Sequence, residues 1–306
     1  MKPFSQLMFS AFIVLISFLL SFLVSLAVAA PLFGIDSIIN IPGIQDLNDP
    51  ENIRILKYFQ VVQSLGLFII PPFILGWFFH GKTHEYLIMD RGVTMRSILL
   101  VILLVIFSQP LINFIGEWNS RMELPEWLSE VERWMKNAEE NAALLTEAFL
   151  KVDTLGGMMF NLFMIALLPA IGEELLFRGV IQRIFTRWTS NYHWGIWISA
   201  ILFSALHIQF YGFVPRLLLG ILFGYLLVWS GTMWMPVIAH FINNGFAVIA
   251  LYLIDEKVLN PHVEDIGSTS ESYYAAVISS VLIIVLMWLI NKENKEKALH
   301  IRSSYP

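Results

Sequence analysis

The sequence has no cysteine and little charge. With no Cys among its 306 residues, it cannot form disulfides, a Cys-ligated zinc site, an iron–sulfur cluster or a thiol nucleophile. Asp, Glu, Lys and Arg make up 14% of the chain, against about a quarter in soluble domains. The net charge of −5 provides no basic surface for a phosphate backbone. A nucleic-acid binder and a small disulfide-stabilised protein are therefore excluded.

Long apolar runs dominate instead. Hydrophobic residues make up 57% of the chain and the mean hydropathy is +0.68. Since a bilayer core of about 30 Å needs roughly 20 apolar residues in a helix, we predict an all-α integral membrane protein, a bundle of about eight transmembrane helices. The predicted spans lie near Leu7–Ala30, Phe59–Phe79, Ser97–Ile115, Leu155–Leu176, Trp194–Phe210, Pro215–Trp229, Met233–Ile254 and Tyr274–Ile290.

The first apolar run has an alternative interpretation. Lys2, the run itself and the segment Ala27-Val28-Ala29 resemble a secretory signal peptide with its cleavage site. The run is longer than the roughly 7–15 apolar residues of a signal peptide. A retained membrane helix is therefore favoured.

One sizeable polar segment, residues 117–153, lies between the third and fourth predicted spans. It carries nine acidic and four basic residues, with Trp118, Trp127 and Trp134 among them. This mixture is typical of helices at a membrane interface. Because so short a segment is small for a core of its own, we predict a solvated helical cap rather than a separate binding domain.

The distribution of basic residues predicts the orientation in the cell membrane. Eight spans place both termini on one side, which carries eleven Lys and Arg, against four on the other side outside the polar segment. Both termini are therefore expected in the cytoplasm. The chain then divides into a three-span region (1–116), an acidic extracytoplasmic insert (117–153), a core with the candidate site (154–256), and a last span with a basic tail (257–306).

Ionisable side chains inside spans cost about 2.5–3.5 kcal/mol each, so they indicate functional sites. The first cluster, Glu173, Glu174 and Arg178, ends the fourth predicted span. Glu174 and Arg178 are four residues apart and share a helix face, which predicts an ion pair. Glu173 points about 100° away and stays available as a general base. The alternative for Arg178 is an interfacial side chain that extends to water.

Two further clusters follow on later spans. Phe203 and His207 are four residues apart, so the ring is expected to pack on the histidine. His240 and Asn244 share one face of the seventh span, where unpartnered polar groups would cost several kcal/mol. They are expected to face a wet cavity, or to form hydrogen bonds that hold helices together.

These groups suit water-mediated acyl transfer, in which a base activates water and donors stabilise the oxyanion. The spans contain no Gly-x-Ser-x-Gly and the chain no His-Glu-x-x-His, so a serine hydrolase and a zincin lack support. Glu173, His207 and His240 could instead form a His₂Glu metal site. A divalent metal is therefore the alternative to a reaction without a cofactor.

The three clusters resemble the motifs of the CAAX-processing and bacteriocin-processing (CPBP, Abi) intramembrane proteases, which include the Ras-converting CAAX endopeptidase. The family pattern Glu-Glu-x-x-x-Arg, Phe-x-x-x-His and His-x-x-x-Asn/Asp is present in order, as Glu173-Glu174-x-x-x-Arg178, Phe203-x-x-x-His207 and His240-x-x-x-Asn244. The resemblance covers roughly Leu155–Leu253. It implies that Glu173 activates the attacking water with help from His207, that His240 and Asn244 form the oxyanion hole, and that no metal takes part.

The expected function is hydrolysis of a peptide bond in a membrane-associated or lipidated, CAAX-like protein or peptide. The expected partners are this substrate and the lipid bilayer, with no nucleic acid. One alternative is a non-catalytic immunity or scaffold protein that docks partners through residues 117–153. Another is an ion-coupled transporter, although the sequence shows no inverted repeat.

The predicted spans contain one geometric conflict. At 1.5 Å per residue, Glu173 lies roughly 27 Å from the outer end of its span and His207 roughly 20 Å from the inner end of the next. These depths place the two side chains near opposite membrane surfaces. To share one water, the fourth helix must extend past Arg178, or the fifth must start earlier or tilt.

Overall fold

The computed structural model describes residues 1–35, 39–263 and 265–294, and these residues form helices and no strand. The main helices are α1 (Pro3–Phe33), α2 (Pro50–His80), α3 (Met95–Ser120), α4 (Ser129–Leu150), α5 (Leu155–Thr189), α6 (Tyr192–Ala205), α7 (Phe213–Ser230), α8 (Trp234–Asp255) and α9 (Tyr273–Glu293). Within the described ranges, seven helices are long and apolar enough to cross a membrane. The prediction of an all-helical, multi-pass membrane bundle is confirmed. Most of the predicted basic tail lies beyond residue 294, outside the described residues.

The helix α5 is much longer than its predicted span. It runs for 35 residues, about 52 Å at 1.5 Å per residue, where the prediction ended at Leu176. The apolar stretch ends at the polar residues that follow Leu176, but these polar side chains have hydrogen-bond partners on other parts of the fold. Gln182 Nε2 donates to the Gly224 carbonyl at 3.4 Å, and Arg183 donates to the Tyr86 carbonyl.

The predicted fifth span is the short helix α6. Its 14 residues extend about 21 Å, less than the bilayer core. It packs closely on α7 because that helix has glycine at positions 220 and 224. A Cβ on Gly220 would lie 3.0 Å from the Ala200 Cβ, and one on Gly224 would lie 2.8 Å from the Ile196 side chain. Small residues four apart are a common means of close packing between membrane helices.

The connection from α6 to α7 lies beside the end of α3. Asn119 Nδ2 donates to the Phe210 carbonyl at 3.1 Å, and its Oδ1 accepts from the Val214 N–H at 2.7 Å. The connection therefore reaches the face of the bundle that carries α4, which we call the insert face. The bundle alternates in direction as eight spans would, although α6 is short.

The first and last helices begin and end together on the opposite face, which we call the terminal face. Arg187, at the end of α5, donates to Gln6 of α1 at 3.4 Å. Arg96, at the start of α3, lies 3.2 Å from Glu293 of α9. The described ends of α1 and α9 are thus on one side of the bundle. Which side is cytoplasmic stays a prediction.

The first helix packs against α2. Ser17 Oγ donates to the Gly66 carbonyl at 2.7 Å, within the π-helical turn Leu65–Ile69, and the Tyr58 hydroxyl donates to the Ser25 carbonyl at 2.9 Å. In the structure α1 is therefore an integral helix of the bundle. Its retention in the cell stays a prediction.

The insert is dominated by α4, which lies against the bundle along one side. Met135 and Phe149 are buried, and the Trp134 ring lies 5.1 Å from the Phe210 ring. Glu139 accepts from the Tyr211 N–H at 3.1 Å. The prediction of a solvated cap thus holds only for the charged side of α4, because its other side packs on the connection between α6 and α7.

Candidate active site

A cavity of about 520 Å³ lies among α4, α5, α7 and α8, within the range of typical ligand sites. Its lining includes Glu173, His207, His240 and Asn244. These are the four residues that the sequence predicts to be catalytic. The structure therefore brings together groups from α5, α8 and the connection after α6.

The length of α5 resolves the conflict in depth. The helix continues past Arg178 to Thr189, so Glu173 lies near its middle rather than near its end. His207 follows α6, which ends at Ala205. The extension of the fourth helix past Arg178 is therefore present, and α6 also begins at Tyr192, slightly earlier than the predicted Trp194.

Glu174 binds two partners with one oxygen. Its Oε1 lies 3.0 Å from Arg178 Nη1 and 2.8 Å from His240 Nδ1. The side chains of Glu174 and Arg178 are 0% and 1% exposed. The predicted ion pair is present, and it is fully buried rather than interfacial. The link to His240 is new, because no local spacing indicates a contact between residues 66 positions apart.

Arg178 is enclosed by aromatic rings. Its guanidinium lies 4.5 Å from the centre of the Phe203 ring and 5.6 Å from that of Phe223, and Nη2 donates to the Gly220 carbonyl at 3.2 Å. Cation–π contacts of a desolvated arginine contribute about 2 kcal/mol. The Phe203 ring also packs on His207 at 5.0 Å, as predicted from the four-residue spacing. Phe203 therefore supports both the arginine and the histidine.

Glu173 faces the cavity. Its side chain is 12% exposed, and its Oε2 lies 3.9 Å from His240 Nε2. This separation is too long for a direct hydrogen bond and is one that a water molecule can bridge. The two adjacent carboxylates have different surroundings, as predicted. Glu174 forms the ion pair with Arg178, while Glu173 lines the cavity.

His207 is oriented by the backbone. Its Nδ1 lies 2.7 Å from the Phe203 carbonyl, and because a carbonyl only accepts, Nδ1 carries the proton. In a neutral ring Nε2 is then an acceptor. The next residue, Ile208, has φ of +56°, which is strained for a β-branched side chain. Such strain is concentrated at functional sites, and here it turns the chain immediately after His207.

Asn244 replaces a hydrogen bond that α5 lacks. Pro169 has no N–H, so it cannot donate to the carbonyl four residues earlier, that of Ile165. Asn244 Nδ2 donates to this carbonyl instead, at 3.1 Å. Its Oδ1 accepts from Asn243 Nδ2 at 3.2 Å, and Asn243 Oδ1 accepts from Gln109 at 3.3 Å. This amide chain fixes the NH₂ group of Asn244 on the side of Ile165 and leaves one N–H for the cavity.

The residues of the alternative metal site, Glu173, His207 and His240, all line the cavity. Within the described part of the chain, however, no group of three or more His, Cys, Asp or Glu side chains is arranged to hold a metal ion. The expectation of a reaction without a cofactor stays a prediction.

Several residues that line the cavity were not predicted. Arg216 of α7 lines it, as do Leu145 and Phe149 of the insert helix α4. Arg216 comes after His207 in the chain and matches none of the three motifs. Leu145 and Phe149 are apolar residues of an acidic helix, a pattern that indicates ordinary packing. The insert and the core, which the sequence separates as regions, therefore share one cavity.

Comparison with known proteins agrees with the motifs. Residues 155–246 match the family model described as type II CAAX prenyl endopeptidase Rce1-like, and this range holds every predicted site residue. The uncharacterized protein YpbD of Bacillus subtilis (strain 168) is 33% identical over 102 residues, which cover 32% of this chain and 48% of that protein. The match thus spans about half of that relative. No solved structure matches the chain.

Proposed function

Because residues 155–246 match the family model described as type II CAAX prenyl endopeptidase Rce1-like, we propose that the protein is an intramembrane endopeptidase whose general base is Glu173. The substrate is a membrane-associated or lipidated, CAAX-like protein or peptide. The observation that carries the proposal is the single cavity lined by Glu173, His207, His240 and Asn244.

The attacking water binds between Glu173 and His207. Glu173 has a carboxylate at the cavity that is not taken up by Arg178, and His207 offers Nε2 as an acceptor because its Nδ1 donates to a carbonyl. Glu173 removes one proton from the water while His207 orients the other O–H. The hydroxide adds to the scissile carbonyl carbon. Glu173 then gives its proton to the amide nitrogen as the C–N bond breaks.

His240 and Asn244 stabilise the oxyanion. Asn244 has one amide N–H left after its bond to Ile165. His240 donates Nδ1–H to Glu174, so its Nε2 carries a proton only when the ring is a cation. This role therefore requires the imidazolium form of His240, in which both ring nitrogens are donors. Each such donor contributes about 2.7–4 kcal/mol to transition-state stabilisation.

We further propose that the terminal face is cytoplasmic, as its excess of basic residues predicts. Because the cavity is lined by α4 and by the first turns of α7, we propose that the substrate reaches it from the insert face. In this orientation the substrate approaches from the extracytoplasmic side of the bilayer.

The test is cleavage of membrane peptides by the full chain in nanodiscs. Glu173→Gln is expected to lower kcat at least 10³-fold, because the base is lost and the shape is kept. Glu130→Gln, which changes an exposed carboxylate on α4, is the matched control and should cleave at the wild-type rate. Cells with Glu173→Gln should accumulate uncleaved membrane peptides in a proteomic comparison. Cleavage by Glu173→Gln at the full rate would contradict the proposal.

A second arm tests metal dependence. Preincubation with a strong chelator is expected to leave the rate unchanged. Loss of activity that a divalent cation restores would instead favour the His₂Glu alternative formed by Glu173, His207 and His240.

A further inference from the structure

Arg216 is a cation of the cavity that the catalytic scheme does not use. It lies in the first turn of α7 and lines the same cavity as Glu173 and His207. Its Nη2 donates to Gln209 Oε1 at 2.8 Å, and its Nη1 donates to the Gln209 carbonyl at 3.3 Å. The guanidinium is therefore held in a defined place by neutral groups.

The backbone also makes room for this side chain. A Cβ at Gly212 would lie 3.2 Å from Arg216 Nη2, closer than ordinary van der Waals contact. Glycine at position 212 thus leaves room for the guanidinium beside the connection between α6 and α7.

The described part of the chain balances the positive charge of Arg216 only from a distance. Among the described residues no carboxylate lies within ion-pair distance of it, and the carboxylates that act on it through space are Glu139 and Glu173. The first turn of a helix is its positive end, where a cation is unfavourable. A partly buried arginine inside a membrane span is also costly. These costs indicate that an anion from outside the chain completes the site.

The place of Arg216 limits what this anion can be. The cavity holds about 520 Å³, which admits a short stretch of peptide rather than a folded segment. A ligand that reaches both Glu173 and Arg216 must carry its negative group within a few residues of the scissile bond. A guanidinium binds a carboxylate through two parallel hydrogen bonds.

We propose that Arg216 forms an anion subsite that binds a carboxylate of the substrate peptide close to the scissile bond. The carboxylate is that of a free C-terminus or of an acidic side chain. The inference rests on the proposed function, since it assumes that the ligand of the cavity is a peptide. Binding at Arg216 fixes the direction of the peptide and sets its reacting carbonyl over Glu173.

The test measures binding, so that it does not depend on catalysis. The full chain with Glu173→Gln is placed in phosphatidylcholine nanodiscs and titrated with three dansylated apolar hexapeptides. One ends in a free carboxylate, the second is its C-terminal amide, and the third is that amide with an aspartate near its end. At least one carboxylate peptide is expected to bind roughly 10-fold more tightly than the plain amide. Which of the two does so identifies the source of the carboxylate.

Two variants of Arg216 assign the preference to this residue. Arg216→Gln is expected to reduce the ratio of affinities to about 1, and Arg216→Lys, which keeps the charge without the planar fork, should give an intermediate ratio. An unchanged ratio in Arg216→Gln would overturn the proposal, as would equal binding of all three peptides or no binding by any. Competition by phosphatidylglycerol that requires Arg216 would assign the subsite to a lipid phosphate and would also overturn it.

The proposed function fails by a different result. If Glu173→Gln cleaves at the full rate while the carboxylate preference persists, the catalytic assignment is wrong and the subsite stands. If cleavage depends on Glu173 but the preference is absent, only the subsite is wrong.

Discussion

Removal of the charge of Glu174 should destabilise the bundle far more than removal of the charge of its neighbour. Glu174→Gln leaves Arg178, 1% exposed, as a buried cation without a counter-charge, since its other contacts are two aromatic rings and a carbonyl. Breaking a buried pair by removing one partner costs about 3–5 kcal/mol. For a chain of this size that lowers Tm by on the order of 10 °C.

The adjacent position supplies the matched control. Glu173→Gln makes the same chemical change one residue earlier, at a side chain whose nearest ionic partner is 3.9 Å away. We expect it to destabilise the protein much less than Glu174→Gln does, because no close buried ion pair is broken. The two variants therefore separate the roles of the two carboxylates, one holding the fold together and the other available for chemistry.

A double substitution tests whether the cost comes from the unpaired cation. Glu174→Gln combined with Arg178→Met removes both charges, and apolar replacement of a whole buried pair is often neutral. The double variant should be more stable than Glu174→Gln alone, with a coupling of about 2 kcal/mol or more. Thermal unfolding in detergent can be followed by the fluorescence of the 10 tryptophans. Additive losses, or a Tm of Glu174→Gln equal to that of the wild type, would refute the reasoning.

Two further predictions concern the amide chain and the orientation. Gln109→Leu removes the donor to Asn243 and so loosens the amide of Asn244. We expect kcat to fall roughly 10-fold while KM stays within twofold of the wild-type value. A rise in KM as large as the fall in kcat would instead indicate a general packing defect. Because the chain has no cysteine, Lys82→Cys and Glu130→Cys can be labelled without background. In intact cells a membrane-impermeant maleimide should label only Glu130→Cys, and the reverse pattern would show that the insert face is cytoplasmic.

The parts of the site that the sequence predicted are those set by local helix geometry. The pair Glu174–Arg178 and the packing of Phe203 on His207 both follow from a spacing of four residues. The order of the motifs along the chain was sufficient to indicate a family. The number of helices able to span the membrane was close to the expected number, because length and hydropathy determine it.

The contacts between distant helices were not predictable from one sequence. Pro169 indicated that a carbonyl of α5 lacked its donor, but nothing identified Asn244, 79 residues away, as the replacement. The prediction from hydropathy ended the fourth span at its charged residues. Hydropathy alone does not show that Gln182 and Arg183 have carbonyl partners on other elements. Arg216 was assigned to the outer side as one of four bases and given no further role, because its cavity exists only in the fold.

The different roles of Glu173 and Glu174 follow from one property of the helix. Consecutive side chains of an α-helix diverge by about 100°, so the two adjacent carboxylates point in different directions, and Glu174 is the one that pairs with Arg178. The inward carboxylate takes Arg178 and then His240, which fixes the imidazole with its Nε2 3.9 Å from the other carboxylate. That other carboxylate is left at the cavity, where the carbonyl contacts of His207 and Asn244 leave Nε2 of the histidine and the second amide N–H of the asparagine available. A buried ion pair is weak evidence for stability by itself, but here it keeps one carboxylate occupied and so leaves its neighbour free for a substrate.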